Sequence, residues 1–306
     1  MREKAPVVRV LGPIVLAIGL IFALGPIYLA LCSASVSNRQ LIEHGVAFVP
    51  GTQFIANLAE VQRRADFGRL LLNSFLVASI VVVGKLLISA LTAYAVVFFR
   101  SRIKHVIFAA VLVTLLLPLE VRVIPTYAVA ADLLEPVRAV LSATGLDHAL
   151  QTIASIRISI PTINLLNSYT GLSLPLVASA TGTYLFRQFY RTIPAELLEA
   201  AKMDGAGPIR FFVDMLLPLS KANFSALGII VFVSTWKDYM WPLVATNQQD
   251  MRTVVLGVVK FLPTDASQLP EWNLMMAATV VALAPPILVV ALMQKWLVKG
   301  IIGAEK

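Results

Sequence analysis

Charge, cysteine and catalytic motifs are all scarce in this chain of 306 residues. Only 14% of the residues are charged, whereas soluble domains average about 25%. The single cysteine, Cys32, excludes an internal disulfide. The histidines His44, His105 and His148 lie in different segments, without the spacing of metal ligands. The sequence contains neither a G-x-x-x-x-G-K-[ST] phosphate loop nor a nucleophile elbow. We therefore expect no enzymatic activity, no ATP hydrolysis and no cofactor or metal bound by this chain.

Long hydrophobic segments dominate the sequence instead. Hydrophobic residues make up 58% of the chain, and the mean hydropathy is +0.82. A membrane-spanning helix needs about 20 apolar residues. The segments of that kind are, approximately, Pro13–Leu31, Leu71–Phe99, Val106–Pro125, Leu172–Phe189, Ala222–Val244 and Leu274–Trp296. The sequence therefore predicts an all-α, polytopic membrane protein with about six transmembrane helices, the first of them uncleaved.

The basic residues indicate an orientation. With the N-terminus in the cytoplasm, fourteen of the 25 Lys and Arg residues lie in inner segments and ten in the much longer outer segments, with Lys85 inside a span. A higher basic density on the inner side is the expected pattern for a bacterial membrane protein. We expect both termini in the cytoplasm. The net charge of +8 does not indicate nucleic-acid binding, because these residues are not on one soluble face.

A polar island, Ile193 to Pro218, interrupts the hydrophobic segments. Pro194 suits the first turn of a helix, and Ala195 to Asp204 has high helix propensity. Gly205 can adopt the left-handed conformation that ends a helix, and Pro208 prevents its continuation. A short amphipathic helix is predicted next. Its expected apolar face comprises Ile209, Phe212, Val213, Leu216 and Leu217.

The helix predicted at Ala195 to Asp204 has features of a docking surface. Ala200 and Ala201 are expected to form a flat side that a partner can approach closely. The acidic residues Glu196, Glu199 and Asp204 lie beside it, and Arg210 and Asp214 are spaced to form an ion pair in the next helix. The alternative is a surface helix that only connects two spans.

The spaced pattern of this island resembles the cytoplasmic EAA loop of the permease subunits of bacterial ABC importers. The matching residues are Glu199, Ala200, Ala201, Gly205, Met215, Leu217 and Pro218, with Met215 where isoleucine is usual. The resemblance implies that residues 190–218 dock on the ATP-hydrolysing subunit. It implies ATPase-coupling roles for Glu199, Ala200, Ala201, Asp204, Gly205, Leu217 and Pro218.

Longer segments extend the resemblance to most of the chain, 1–306, taken as a single permease domain. The segments Leu115–Tyr127, Leu174–Phe189, Phe211–Leu227 and Ala284–Gly300 are similar to the second permease subunits of sn-glycerol-3-phosphate importers. The partners implied are a sister permease, a dimeric ATPase that binds ATP and Mg²⁺, and an extracytoplasmic substrate-binding protein in the outer face of the bacterial inner membrane. Residues 132–168 stand out as an atypical insertion in an outer loop.

Five charged residues lie within or near the predicted spans. They are Lys85, Glu120, Arg122, Lys237 and Asp238. Because charge is costly in hydrocarbon, they either pair with one another or line a substrate pathway. A basic lining would suit a phosphate.

Several alternatives remain open at this point. The substrate is sn-glycerol-3-phosphate if the wider resemblance holds, and a neutral sugar or oligosaccharide otherwise. A self-sufficient secondary transporter has no use for an ATPase-docking helix. In the fourth span, Ala178 and Gly182 are four residues apart, which suits either tight helix packing or a pore lining.

Overall fold

The computed structural model describes residues 6–100, 102–116, 118–144, 161–263, 265 and 269–303. These residues are mostly helical and contain no strand, which confirms the predicted all-α fold. The chain divides into two compact units. The first comprises residues 1–72 and 253–285, and the second comprises residues 73–252 and 286–306.

The described helices follow one another with short connections. The first are α1 (Pro6–Ala34), α2 (Asn38–His44), α3 (Phe54–Ala65), α4 (Phe67–Phe98), α5 (Lys104–Leu116), α6 (Leu119–Ala131), α7 (Glu135–Thr144), α8 (Tyr169–Val177) and α9 (Ala180–Tyr190). The others are α10 (Ala195–Met203), α11 (Pro208–Phe211), α12 (Leu217–Leu219), α13 (Lys221–Trp236), α14 (Met240–Ala245), α15 (Val254–Val259) and α16 (Trp272–Gly303). A π-helical turn, Phe212–Leu216, joins α11 to α12.

Three helical segments are long and apolar enough to cross a bilayer. They are Leu11–Ala34, Phe67–Phe98 and Trp272–Gln294, which confirm the first, second and sixth predicted spans. A fourth candidate combines Pro208–Leu219 with Lys221–Trp236, which meet at a bend of 75°. The remaining predicted spans are built differently from what the hydropathy pattern suggested.

The predicted third span, about Val106–Pro125, is not one continuous helix. It is divided between α5 and α6, and Pro118 is the N-cap of α6. A proline disfavours the helical conformation in the residue before it and has no N–H to donate. Hydropathy alone did not reveal this break, because the residues on both sides of it are apolar.

The predicted fourth span, about Leu172–Phe189, is also interrupted. Ala178 and Ser179 have extended backbone conformations between α8 and α9. The Ser179 hydroxyl accepts a hydrogen bond from the Gly182 N–H at 3.1 Å, and such a bond starts a new helix. The predicted shared face of Ala178 and Gly182 is therefore wrong, because the two residues do not belong to one helix.

The predicted fifth span, about Ala222–Val244, is helical as α13 only to Trp236. Lys237 and Asp238 follow, and the short α14 comes after them. The Asp238 carboxylate accepts a hydrogen bond from the Trp241 backbone N–H at 3.5 Å. A polar group that binds a free helix N–H favours a helix start at this point.

In the first unit, a buried asparagine connects three segments of the chain. The Asn57 amide donates to the carbonyl oxygens of Ala34 at 2.8 Å and Val36 at 3.0 Å. Its oxygen accepts a hydrogen bond from the Asn273 amide at 2.8 Å. Because a buried amide is costly when unpaired, these bonds fix the end of α1 against α3 and α16.

A charged cluster lies at the surface of the same unit. Glu60 accepts hydrogen bonds from Arg63 and Arg64, and Arg64 also pairs with Glu271 at 2.9 Å. The bonds from Arg63 and then Arg64 lower the pKa of the Glu60 carboxyl to about 2. The carboxylate therefore stays charged at any physiological pH.

The predicted insertion, 132–168, is only partly within the described residues, since 145–160 lie outside them. At its near end, Arg138 pairs with Asp132 at 2.6 Å. At its far end, the Leu165 N–H donates to the Ala130 carbonyl at 2.8 Å, and the Asn167 N–H donates to the Ala245 carbonyl at 3.0 Å. The described ends are thus attached to α6 and α14.

In the second unit, α9 approaches α4 closely at Gly182. A Cβ added there would collide with the Ser89 hydroxyl and lie 3.2 Å from the Leu227 Cδ2. This contact supports the packing role that was one of the two considered for the small residues of this segment.

The substitution Gly182→Ala is expected to destabilise the protein by about 1–3 kcal/mol, because the added methyl group overfills a close contact. Gly228→Ala on α13 is a matched control. Its Cβ would lie 3.6 Å from the nearest atoms of Leu86 and Met293, an ordinary contact. It should be neutral or stabilising by up to about 1 kcal/mol. Thermal unfolding of the purified variants in detergent measures both, and equal melting temperatures would contradict the close approach.

Candidate functional site

The EAA loop, residues 190–218, begins with α10. Pro194 is the N-cap of this helix (φ −58°, ψ 138°) and not a residue of its first turn, as the sequence suggested. The helix ends one residue before Asp204, which is its C-cap. Gly205 has a φ of +74°, and its left-handed conformation confirms the prediction.

Two backbone hydrogen bonds fix the end of α10. The Gly205 N–H donates to the Lys202 carbonyl at 3.0 Å, and the Ala206 N–H donates to the Ala201 carbonyl at 2.9 Å. This pair of bonds is the Schellman arrangement, which requires a left-handed residue at the position of Gly205. The direction of the chain after α10 therefore depends on a glycine.

The two alanines of the loop differ in exposure. Ala201 is 1% exposed and lies in the hydrophobic core, with Leu197 and Leu198 packed beside it. Ala200 is exposed. The prediction that both alanines form a flat docking side is therefore wrong for Ala201. Consecutive residues on a helix differ by about 100° in direction, so the sequence alone did not decide which of the two faces outward.

The outer face of the loop is acidic with apolar side chains at its end. Glu196, Glu199 and Asp204 are exposed, as predicted. Met203 is 83% exposed and Ile209 is 82% exposed, so both add apolar surface. We define the outer face as Glu196, Glu199, Ala200, Met203, Asp204 and Ile209.

A π-helical turn changes the face that the second helix of the loop buries. Phe212 and Leu216 are buried as predicted, whereas Ile209 and Val213 are exposed and Phe211 is buried in their place. The predicted apolar face is therefore wrong at these three positions, because it assumed a regular helix.

The cause of the π-helical turn is visible in its hydrogen bonds. The Leu217 N–H donates to the Phe212 carbonyl, five residues back. Pro218 has no N–H to donate to the carbonyl of Asp214 four residues back. The predicted pair of Arg210 and Asp214 is confirmed, with a distance of 3.3 Å between two exposed side chains.

Aromatic side chains attach the loop to the end of α4. The Tyr94 hydroxyl donates to the Pro208 carbonyl at 3.1 Å. The Phe211 ring lies 6.2 Å from the Tyr94 ring and 5.6 Å from the Phe98 ring. The sequence analysis missed Tyr94 and Phe98. The available signal was a group of aromatic residues at the end of a span that faces a polar island.

A pocket separates part of α10 from the end of α4. Its volume is about 760 Å³, including the space at its mouth, and its lining includes Tyr94, Phe98, Phe211, Arg100 and Lys202. The loop is thus held by α4 mainly through the aromatic contacts at Phe211, and it leaves an open space beside α10.

A second pocket, which we call the cationic pocket, lies among α4, α6, α8 and α14. Its volume is about 500 Å³, including the space at its mouth. The lining residues are Lys85, Arg122, Val123, Thr126, Pro175, Leu176, Ala178 and Trp241. The structure therefore brings together two of the five charged residues singled out in the sequence.

The other three charged residues are not part of this lining. Lys237 is exposed, and Asp238 binds the backbone N–H of Trp241, so neither lines the cationic pocket. Glu120 belongs to α6, and its side chain lies outside the described part of the structure. Sequence reasoning missed Thr126 and Trp241, because only the folded chain brings α6 and α14 to Lys85.

Comparisons with known proteins agree on one family. Residues 85–303 match the family described as the binding-protein-dependent transport system inner membrane component. The sn-glycerol-3-phosphate transport system permease protein UgpE of Rhizobium meliloti (strain 1021) is 42% identical over 314 aligned positions, covering 100% of both chains. The protein of the same name from Yersinia pestis bv. Antiqua (strain Antiqua) is 40% identical, covering 96% of this chain and 95% of that one.

A solved structure has the same fold. It belongs to a bacterial ABC transporter involved in the import of the acidic polysaccharide alginate. The TM-score is 0.72 with 18% sequence identity, and the match covers 96% of this chain and 98% of that chain.

Proposed function

The chain belongs to the family of binding-protein-dependent transport system inner membrane components, and on that basis we propose that it is one permease subunit of an ATP-driven importer of sn-glycerol-3-phosphate. Its family makes it a multi-pass transport component and not an enzyme. The substrate is proposed from relatives that are 40–42% identical along nearly their whole length and are named for this transport.

The EAA loop is the observation that carries the proposal of ATP-driven coupling. Its outer face is exposed, while Ala201 and Phe211 bury the opposite side in the core. A helix that is held on one side and free on the other presents a fixed docking surface. We propose that Glu199, Ala200, Asp204 and Met203 contact the ATPase, and that Ala201, Gly205, Leu217 and Pro218 hold the loop in shape.

The rest of the assembly follows from the same proposal. A second permease completes the pathway, a dimeric ATPase binds ATP and Mg²⁺, and an extracytoplasmic protein delivers the solute. Both termini and the EAA loop are placed in the cytoplasm, in accordance with the higher basic density of the inner segments. This chain needs no cofactor of its own.

The charge of the cationic pocket favours an anion over a neutral sugar. Lys85 and Arg122 line it, and the described lining contains no carboxylate. A phosphate ester can bind both cations by charge-assisted hydrogen bonds, whereas a neutral oligosaccharide would leave two charges without compensation.

Uptake by the complete complex tests this function. In vesicles that contain all the subunits and the binding protein, labelled sn-glycerol-3-phosphate should enter in an ATP-dependent manner and much faster than a labelled neutral disaccharide. Vesicles that contain this chain alone are the control and should transport neither. Preference for the disaccharide would refute the substrate, and uptake by the isolated chain would refute the dependence on an ATPase.

A further inference from the structure

The cationic pocket contains an unusual electrostatic arrangement for the apolar part of a membrane protein. Lys85 lies on the long apolar helix α4, and Arg122 lies on α6. Both line the same pocket, so their like charges repel each other, and this repulsion is strongest where water is scarce. Among the described side chains, neither forms an ion pair with a carboxylate.

The walls of the pocket are of two kinds. Thr126 offers a hydroxyl, and Pro175, Leu176 and Ala178 are apolar. Trp241 is 2% exposed and donates its indole N–H to the Leu172 carbonyl at 3.2 Å. Because that bond holds the indole in place, its ring is a fixed wall and its N–H is not available to a ligand.

The backbone beside the pocket is not helical. Ala178 lies in the extended segment between α8 and α9 and lines the pocket. At membrane depth, non-helical backbone is tolerated where it is buried in protein or borders a water-filled cavity. The break therefore fits a pocket that admits water and a polar solute.

We propose that Lys85 and Arg122 form, within this subunit itself, a binding station for the phosphate group of the transported solute. The identity of that solute rests on the proposed function, whereas the anion class rests on the pocket. Arginine can bind two phosphate oxygens at once, and lysine acts as a point charge. The Thr126 hydroxyl can serve a third oxygen or a hydroxyl of the solute. Lys237 has no part in the station.

Thiol labelling can measure the potential in the pocket directly. The chain has one native cysteine, Cys32, which is 1% exposed, so the background should be low. Thr126→Cys places a thiol in the pocket, and Thr52→Cys is the matched control on an exposed segment. Each variant is assembled with all the other subunits, with and without a non-hydrolysable ATP analogue. It is then treated with negatively or positively charged methanethiosulfonates of similar size.

The ratio of the two labelling rates reports the charge. At Thr126→Cys the anionic reagent should be favoured about tenfold or more over the ratio at Thr52→Cys, as two nearby cations imply. Adding Lys85→Met or Arg122→Gln should reduce the preference several-fold, and Lys85→Arg should retain it. Lys237→Met should leave it unchanged. Equal ratios at the two cysteines would overturn the station.

Protection by ligands separates the station from the proposed substrate. sn-Glycerol-3-phosphate, but not glycerol, should slow the labelling of Thr126→Cys by several-fold. If the charge preference is present and inorganic phosphate or another phosphate ester protects while sn-glycerol-3-phosphate does not, the station stands and the proposed substrate fails. If no phosphate compound protects, the station is overturned.

Discussion

Replacement of Phe211 by alanine is expected to free the EAA loop from the end of α4. The Phe211 side chain is 2% exposed, and its ring lies against those of Tyr94 and Phe98. Removal of a buried phenylalanine ring costs about 3–5 kcal/mol. We therefore expect a clearly lower melting temperature in detergent and ATP hydrolysis that no longer drives uptake.

Ile209→Ala is the control on the same short helix. Ile209 is 82% exposed, so its loss should change the free energy of unfolding by no more than about 0.5 kcal/mol. Under the proposed function it should instead weaken attachment of the ATPase. A Phe211→Ala protein that melts with the wild type would show that the aromatic contacts do not hold the loop.

The substitution Gly205→Val is expected to abolish transport while leaving most of the chain folded. Gly205 has a φ of +74°, and a Cβ added there would meet no atom within 4 Å. The cost is therefore in the backbone, roughly 1–2 kcal/mol for an ordinary L-residue and more for a β-branched one. The chain can avoid that cost only by giving up the Schellman bonds, which changes the end of α10 and the outer face.

Gly207→Val provides a matched comparison two residues away. Gly207 has φ −70° and ψ 169°, and an added Cβ would again meet nothing within 4 Å. Valine adopts this conformation readily, also before a proline, so uptake should remain near the wild-type rate. The ratio of uptake to ATP hydrolysis in the two variants is the measurement. Wild-type coupling in Gly205→Val would contradict a role for the fixed helix end.

The sequence predicts best what local chemistry determines. The left-handed Gly205, the pair of Arg210 and Asp214, and the long apolar α4 depend on neighbouring residues only, and the structure confirms all three. The family follows from the spaced EAA pattern, whose residues lie within one loop.

What the sequence does not predict depends on contacts between distant segments. Ala200 and Ala201 have the same propensity, and only packing against the core decides that Ala201 is inside. The break at Ala178 and Ser179 lies among small residues that would also suit a continuous helix. The meeting of Lys85 with Arg122 requires α4 and α6 to be adjacent, which hydropathy does not encode.

The bend of 75° after Leu219 gives the loop a mechanical advantage. The segment from Pro208 to Leu219 is about 18 Å long at 1.5 Å per residue, so a rotation of about 10° at the bend displaces its far end by about 3 Å. The Ser220 hydroxyl donates to the Leu216 carbonyl at 2.5 Å at the pivot, and Tyr94 holds the far end at Pro208. The segment is thus a lever between α13 and α4, so a push on the loop would also tilt the helix that bears Lys85.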